Sequence, residues 1–150
     1  TSDGDPVTFS TQHGEYMISD DPTLVDVARV HSWLDQSSYW AKGRTLEIVA
    51  RSIANSIPIG VYHRGVTVGF ARVVTDRSTF AWLCDVFVME SHRGSGLGKA
   101  LVEAAINHPD LLGIKRFVLA TADAHDLYRQ YGFEVLDRPD RWMIRRGDTA

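Results

Sequence analysis

The chain has 150 residues, 44% of them hydrophobic, which is enough for one domain with a real core and leaves no room for a second. Charged residues make up 23%, the formal net charge is -3 and no long run of like charge occurs, which argues against disorder and against a nucleic-acid surface. A single cysteine, Cys84, excludes an internal disulfide framework and fits a reducing compartment. No stretch approaches the roughly 18 apolar residues of a membrane span and the start lacks a signal-peptide pattern, so the expected location is soluble and cytoplasmic.

In chain order, residues 1–12 are polar, hold Gly4 and Pro6 and show no period, so they read as a flexible tail, with one domain over 13–150. Tyr16 to Ser19 reads as a first short strand. Asp21 and Pro22 give a helix start, followed by Leu24, Val27, Ala28, His31 and Leu34 on one face. His31 to Arg44 reads as a polar and aromatic link. Thr45 then caps a second helix with Leu46, Val49, Ala50 and Ile53 inward.

Three runs rich in β-branched and aromatic residues come next: Ile57 to His63, Val66 to Thr75 and Thr79 to Met89. Turn chemistry separates them at Arg64-Gly65 and Asp76-Arg77-Ser78, so they read as consecutive antiparallel strands. A glycine loop leads into a helix over about Gly96 to Asn107 and a strand over Arg116 to Ala120. A short helix over Ala124 to Tyr131 is stopped by Gly132, and Phe133 to Leu136 with Trp142 to Arg145 are expected to close the sheet as a hairpin. The class is α/β (α+β).

The segment from Trp82 to Lys99 carries the most chemistry. A strand runs into Arg93-Gly94-Ser95-Gly96-Leu97-Gly98-Lys99, which becomes a helix. Glycines let several N–H groups and the positive end of a helix dipole converge on a phosphate. A nucleoside-triphosphate loop would need Gly at 93 and Ser or Thr at 100, where Arg93 and Ala100 stand; a dinucleotide fingerprint would need Gly at 99, where Lys99 stands. Both of those readings fail, which leaves another phosphate ligand or an ordinary helix-start turn.

The run Arg93-Gly94-Ser95-Gly96-Leu97-Gly98 resembles the pyrophosphate-binding motif Arg/Gln-x-x-Gly-x-Gly/Ala of the GNAT acetyltransferases. A second run, Ala124-His125-Asp126-Leu127-Tyr128-Arg129-Gln130-Tyr131-Gly132-Phe133, resembles that family's Ala-x-x-Leu-Tyr-x-x-x-Gly-Phe, and starts 26 residues after Gly98. The resemblance covers most of the chain from about Tyr16 onward. It implies a GNAT fold: a mixed central sheet of about six to seven strands, flanking helices, and splayed central strands forming the acyl-CoA cleft. Thr121, where many members have Asn, and Glu90, where many have Pro, are departures. The Thr would weaken a hydrogen bond around the pantetheine arm, and neither departure removes a catalytic group.

Acyl transfer from a thioester to an amine needs a deprotonated amine, a polarised carbonyl and a proton for the leaving thiolate. By resemblance Tyr128 supplies that proton; the alternative is an aromatic that packs its helix on the sheet. Asp85, a carboxylate inside an apolar strand, needs a wet cleft or an arginine, and so reads either as the base for the amine or as an ion-pair partner. The resemblance assigns coenzyme contacts to the backbone at Phe87 and Val88, to Arg93 through Lys99, and to Thr121. Cys84 falls on the strand face opposite Asp85 with no adjacent base, as a core thiol does. The six histidines His13, His31, His63, His92, His108 and His125 show no metal-ligand spacing, and no metal is expected.

Trp33, Asp35, Tyr39 and Trp40 lie in a segment that lines the acceptor pocket in many members. The aromatics would enclose an apolar body and Asp35 attract a cationic amine, or the four would only pin a loop. The expected function is N-acetyl transfer from acetyl-CoA, with no metal, to a primary amine of a small molecule. A non-catalytic acyl-CoA sensor of the same fold and a peptide or protein N-acetyltransferase are the alternatives. Neither nucleic acid nor membrane is expected as a partner, and a homodimer stays open.

Overall fold

The computed structural model describes residues 9–38 and 41–147. Six strands form one sheet in chain order: β1 (Ser10–His13), β2 (Tyr16–Ser19), β3 (Ile57–His63), β4 (Val66–Thr75), β5 (Phe80–Val88) and β6 (Arg116–Leu119). The first five pair antiparallel, and β6 joins β5 in parallel after a crossover through α3 (Leu97–Ile106). The expected mixed sheet with flanking helices is therefore present.

Alternation along the strands sorts two cores. Ile57, Ile59 and Val61 of β3 pack with Leu97, Leu101 and Ala105 of α3 on one face. Phe70 of β4 packs with Val30 and Leu34 of α1 (Val27–Ser37) and with Val49 and Ile53 of α2 (Leu46–Ala54) on the other. That two-sided cover is why β3 is buried almost end to end.

The caps explain where the sequence reading was off. Asp21 and Pro22 open only a 3-10 turn over Pro22–Leu24, where the Asp21 carboxylate accepts from Thr23 N; the helix restarts at Asp26, whose side chain accepts from Arg29 N. Consequently α1 runs to Ser37 through what reads as a link. Thr45 caps α2 as expected, its hydroxyl accepting from Ile48 N at 3.1 Å, but Leu46 and Ala50 face solvent.

The tail reading reached Gln12, yet Ser10 to Gln12 belong to β1, whose residues 10 to 13 pair with residues 19 to 16 of β2. An edge strand with no buried side chain carries no apolar alternation, so only its backbone ladder reveals it. The closing hairpin is absent among the described residues: Pro139–Arg141 form a 3-10 turn, and Val135, Met143 and Ile144 are exposed. Side-chain type gave strand propensity there, without a covered face to fix it.

Tyr62 on β3 gives a stability prediction. Its ring lies over Gly60, where an added Cβ would clash with the phenol oxygen. The hydroxyl is buried with no hydrogen-bond partner among the described residues. Burial, with Asp21 nearby, pushes its pKa up to about 12. Between about pH 10 and about pH 12 the unfolded chain has lost a proton that the native state keeps, so stability falls as pH rises through that window. Tyr62→Phe should remove this alkaline slope and, by deleting an unsatisfied buried hydroxyl, stabilise the protein by about 1 kcal/mol at pH 7. Urea unfolding at pH 7 and at about pH 10.5 measures both effects.

Candidate active site

Asp85 is the pivot of β5. Arg72 of β4 faces Cys84 and Phe70 faces Phe87, so Asp85 and Val86 together oppose Ala71 and β5 bulges. Asp85 takes the strained position, with φ of 54°, a left-handed conformation that Asp tolerates better than bulky or branched residues. Its side chain is buried, and Oδ2 accepts from Arg44 Nη1 at 2.9 Å and Arg72 Nε at 3.0 Å. Arg72 Nη1 continues to Ser56 Oγ at 3.0 Å, and the Arg44 carbonyl accepts from His31 Nε2 at 2.8 Å. Of the two readings for Asp85, this is the geometry of the ion-pair partner.

Past the bulge the sheet opens. β5 and β6 pair from Phe80 and Arg116 to Leu83 and Leu119 and no further. On its other edge β5 stays bonded, Met89 N donating to Val68 O at 2.9 Å. Because hydrogen-bonded pairs alternate along an antiparallel ladder, Phe87 turns its N–H to β4 while Val88 turns its N–H and C=O to the open side. The Val88 carbonyl accepts there from Arg93 Nε at 2.9 Å. Of the two backbone contacts expected, Val88 is thus aimed at the opening, whereas Phe87 contributes a ring stacked on Trp33 at 5.1 Å and covered by the Arg93 guanidinium at 5.7 Å.

The glycine loop borders the same opening. Gly94 and Gly96 have φ of 90° and 76°, and Gly96 caps α3, its carbonyl accepting from Ala100 N at 3.0 Å. An added Cβ at Gly94 or Gly98 would meet nothing within 4 Å, so the loop faces open space. The first-turn N–H groups of Leu97, Gly98 and Lys99 have no acceptor inside the helix, and with the helix dipole they attract anions. Leu97 buries its side chain in the core and anchors the loop, while Ser95 and Lys99 are exposed.

Tyr128 sits on α4 (His125–Arg129) and belongs to the same apolar cluster as Leu97, a cluster against which Val86 and Val88 of β5 also pack. Its ring meets Phe133 edge-on at 5.9 Å, and among the described residues no group hydrogen-bonds its hydroxyl. Burial, with Asp123 nearby, pushes its pKa above the ordinary value, so the phenol keeps its proton. Thr121 Oγ1 accepts from Ala124 N at 3.0 Å and builds the turn into α4. The Cys84 thiol is half-buried and pushed up to about 11 by burial, so it supplies no thiolate near neutral pH.

On the acceptor side, Trp33 lies between Phe87 and the Arg29 guanidinium, which is 5.3 Å from its ring. Asp35 Oδ1 accepts from Gly43 N at 2.9 Å and ties down the α1–α2 link. Tyr39 and Trp40 lie outside the described residues. Sequence reasoning missed Arg44 and Arg72: a carboxylate in an apolar strand signals that a cation is needed, without saying which. It also missed His13, Tyr16 and His92, which meet beside the glycine loop. Among the described residues no group of three or more His, Cys, Asp and Glu is placed to hold a metal, and no helix is long and apolar enough to cross a membrane.

Residues 27–133 match the acetyltransferase (GNAT) family model. A Xanthomonas campestris pv. campestris protein of known crystal structure, assigned to the GNAT family, is 44% identical, with a TM-score of 0.87 over 91% of this chain and 96% of that one. The spermine/spermidine N(1)-acetyltransferase of Bacillus subtilis is 33% identical over 89 residues, 51% of this chain and 59% of that protein. A Clostridium acetobutylicum structure described as a predicted acetyltransferase with acetyl-CoA shares the fold at a TM-score of 0.62 and 14% identity, over 87% of this chain and 94% of that one.

Proposed function

This chain belongs to the GNAT acetyltransferase family, and from that premise we propose that it moves an acetyl group from acetyl-CoA to a primary amine of a small cationic acceptor. The observation that carries the reading is the break in the sheet. β5 and β6 stop pairing at Leu83 and Leu119, so the outward-facing Val88 backbone stands beside the Gly94–Gly96 loop and the start of α3. The loop suits a diphosphate: open space at Gly94, unpaired helix N–H groups and Arg93 beside them.

Acetyl-CoA supplies the thioester and the leaving thiolate. The loop N–H groups bind its diphosphate, and the Val88 N–H hydrogen-bonds the arm or the thioester oxygen. The acceptor nitrogen attacks the carbonyl carbon, the carbon–sulfur bond breaks, and Tyr128 gives its phenolic proton to the departing sulfur. The amine's proton leaves to water. Asp85, paired with two guanidinium groups, serves to hold the bulge. The polyamine acetyltransferase relative favours an aliphatic polyamine as the acceptor class, and the net charge of -3 suits a cation.

Calorimetric titration with acetyl-CoA, followed by thiol release on a panel of polyamines, amino acids and peptides, tests the reading. Binding with release on a polyamine supports it. Release only on peptides would replace the acceptor class, binding with no release would favour a sensor, and no binding would overturn the proposal. Gly96→Ala adds a side chain at φ of 76° with only the His13 ring 3.5 Å away, so backbone strain is its main consequence. It should weaken acetyl-CoA binding by about tenfold in the same calorimeter.

A further inference from the structure

We propose that His13, at the end of β1, is a positioning residue for the coenzyme loop: it fixes the peptide between Ser95 and Gly96 so that the Gly96 N–H faces the diphosphate. The inference rests on the reading of the glycine loop as a diphosphate cradle.

His13 Nε2 lies 2.8 Å from the Ser95 carbonyl oxygen, which can only accept, so the imidazole donates. The Ser95–Gly96 peptide is trans, and the C=O and N–H of a trans peptide point in opposite directions. A Ser95 carbonyl drawn outward to His13 therefore sends the Gly96 N–H to the other side of the loop. Gly94 and Gly96 both lie at positive φ, where glycine admits several peptide orientations at little cost, so the loop does not select one by itself. The hairpin grips the loop at a second point as well. Tyr16, the register partner of His13, shares a hydrogen bond of 3.0 Å with His92 Nδ1, and His63 packs against both rings at 5.2 Å. The two contacts bridge 82 and 76 residues of sequence to one five-residue loop, 92 to 96. β1 has an exposed face and buries little, and its ladder to β2 holds His13 in place.

Loss of the His13 bond frees the peptide to turn over, and apparent affinity falls by the fraction of molecules left in the competent orientation. The test uses wild type, His13→Ala and His13→Gln, whose amide keeps an N–H donor near the Nε2 position. kcat/KM is measured with acetyl-CoA and with acetyl-pantetheine, which lacks the diphosphate. We expect His13→Ala to lose about tenfold with acetyl-CoA, mainly in KM, to stay within about twofold with acetyl-pantetheine, and to be largely rescued by Gln, as befits one hydrogen bond. Equal losses on both substrates would show a merely structural role and overturn the proposal, as would an unchanged KM for acetyl-CoA. Failure of wild type itself to bind acetyl-CoA would instead refute the cradle, so the two failures are separable.

Discussion

Tyr128→Phe should lower turnover by about a hundredfold or more while acetyl-CoA affinity stays within about twofold. General-acid catalysis by a positioned group contributes about 10²–10⁴, and the substitution removes only the acidic proton. The ring keeps its edge contact with Phe133 and its place in the cluster with Leu97. No protein group among the described residues loses a hydrogen bond, so the melting temperature should barely move. The pKa of Tyr128 is raised by burial first and Asp123 second, and a general acid acts in its protonated form. Raising the pKa thus extends the active range upward, and wild-type turnover should decline only above the ordinary tyrosine value of about 10. Steady-state rates over pH, with calorimetry on the variant, measure these effects. Unchanged turnover would remove Tyr128 from the mechanism and return it to packing.

The parts of this molecule legible in the sequence are those with a local signature. β3, β4 and β5 announce themselves by branched and aromatic runs between turns, Thr45 caps α2, and the glycine spacing places the start of α3. The two motif runs identify the family because each is contiguous. Features that depend on distant partners were not legible. β1 is three exposed residues and the half-buried His13, held by a ladder to β2, and nothing in Ser10 to His13 states that pairing. The bulge exists because β4 has one residue fewer than β5 between two paired positions, a difference visible only once the strands are aligned. Asp85 signalled a need for charge compensation, but Arg44 and Arg72 are 41 and 13 residues away. At Trp142 and Ile144 the opposite holds: strand-forming side chains are present, and the chain leaves them exposed.

Asp85→Ala should destabilise the protein by about 3–5 kcal/mol, a large share of a typical domain's stability. Oδ2 joins two guanidinium groups at 2.9 and 3.0 Å, and its side chain is 2% exposed against 9% for Arg72 and 26% for Arg44. Removing the carboxylate leaves the Arg72 charge buried with Ser56 Oγ as its remaining neutral partner, the situation in which a broken buried pair costs most. Alanine at φ of 54° adds backbone strain. Asp85→Asn retains the shape and much of the left-handed tolerance, so its smaller loss isolates the charge. Arg44→Ala, at the more exposed partner, should cost only about 1 kcal/mol. Pairing Asp85→Asn with Arg72→Met should recover part of the loss, since a neutral pair no longer strands a buried cation. Urea unfolding of the four variants gives the energies, and turnover of the folded fraction separates the two roles that the sequence left open. A base would show a large fall in kcat for Asp85→Asn at nearly full stability. An ion-pair partner that holds the bulge would show the reverse order, stability lost first and turnover falling only as the Val88 backbone loses its place.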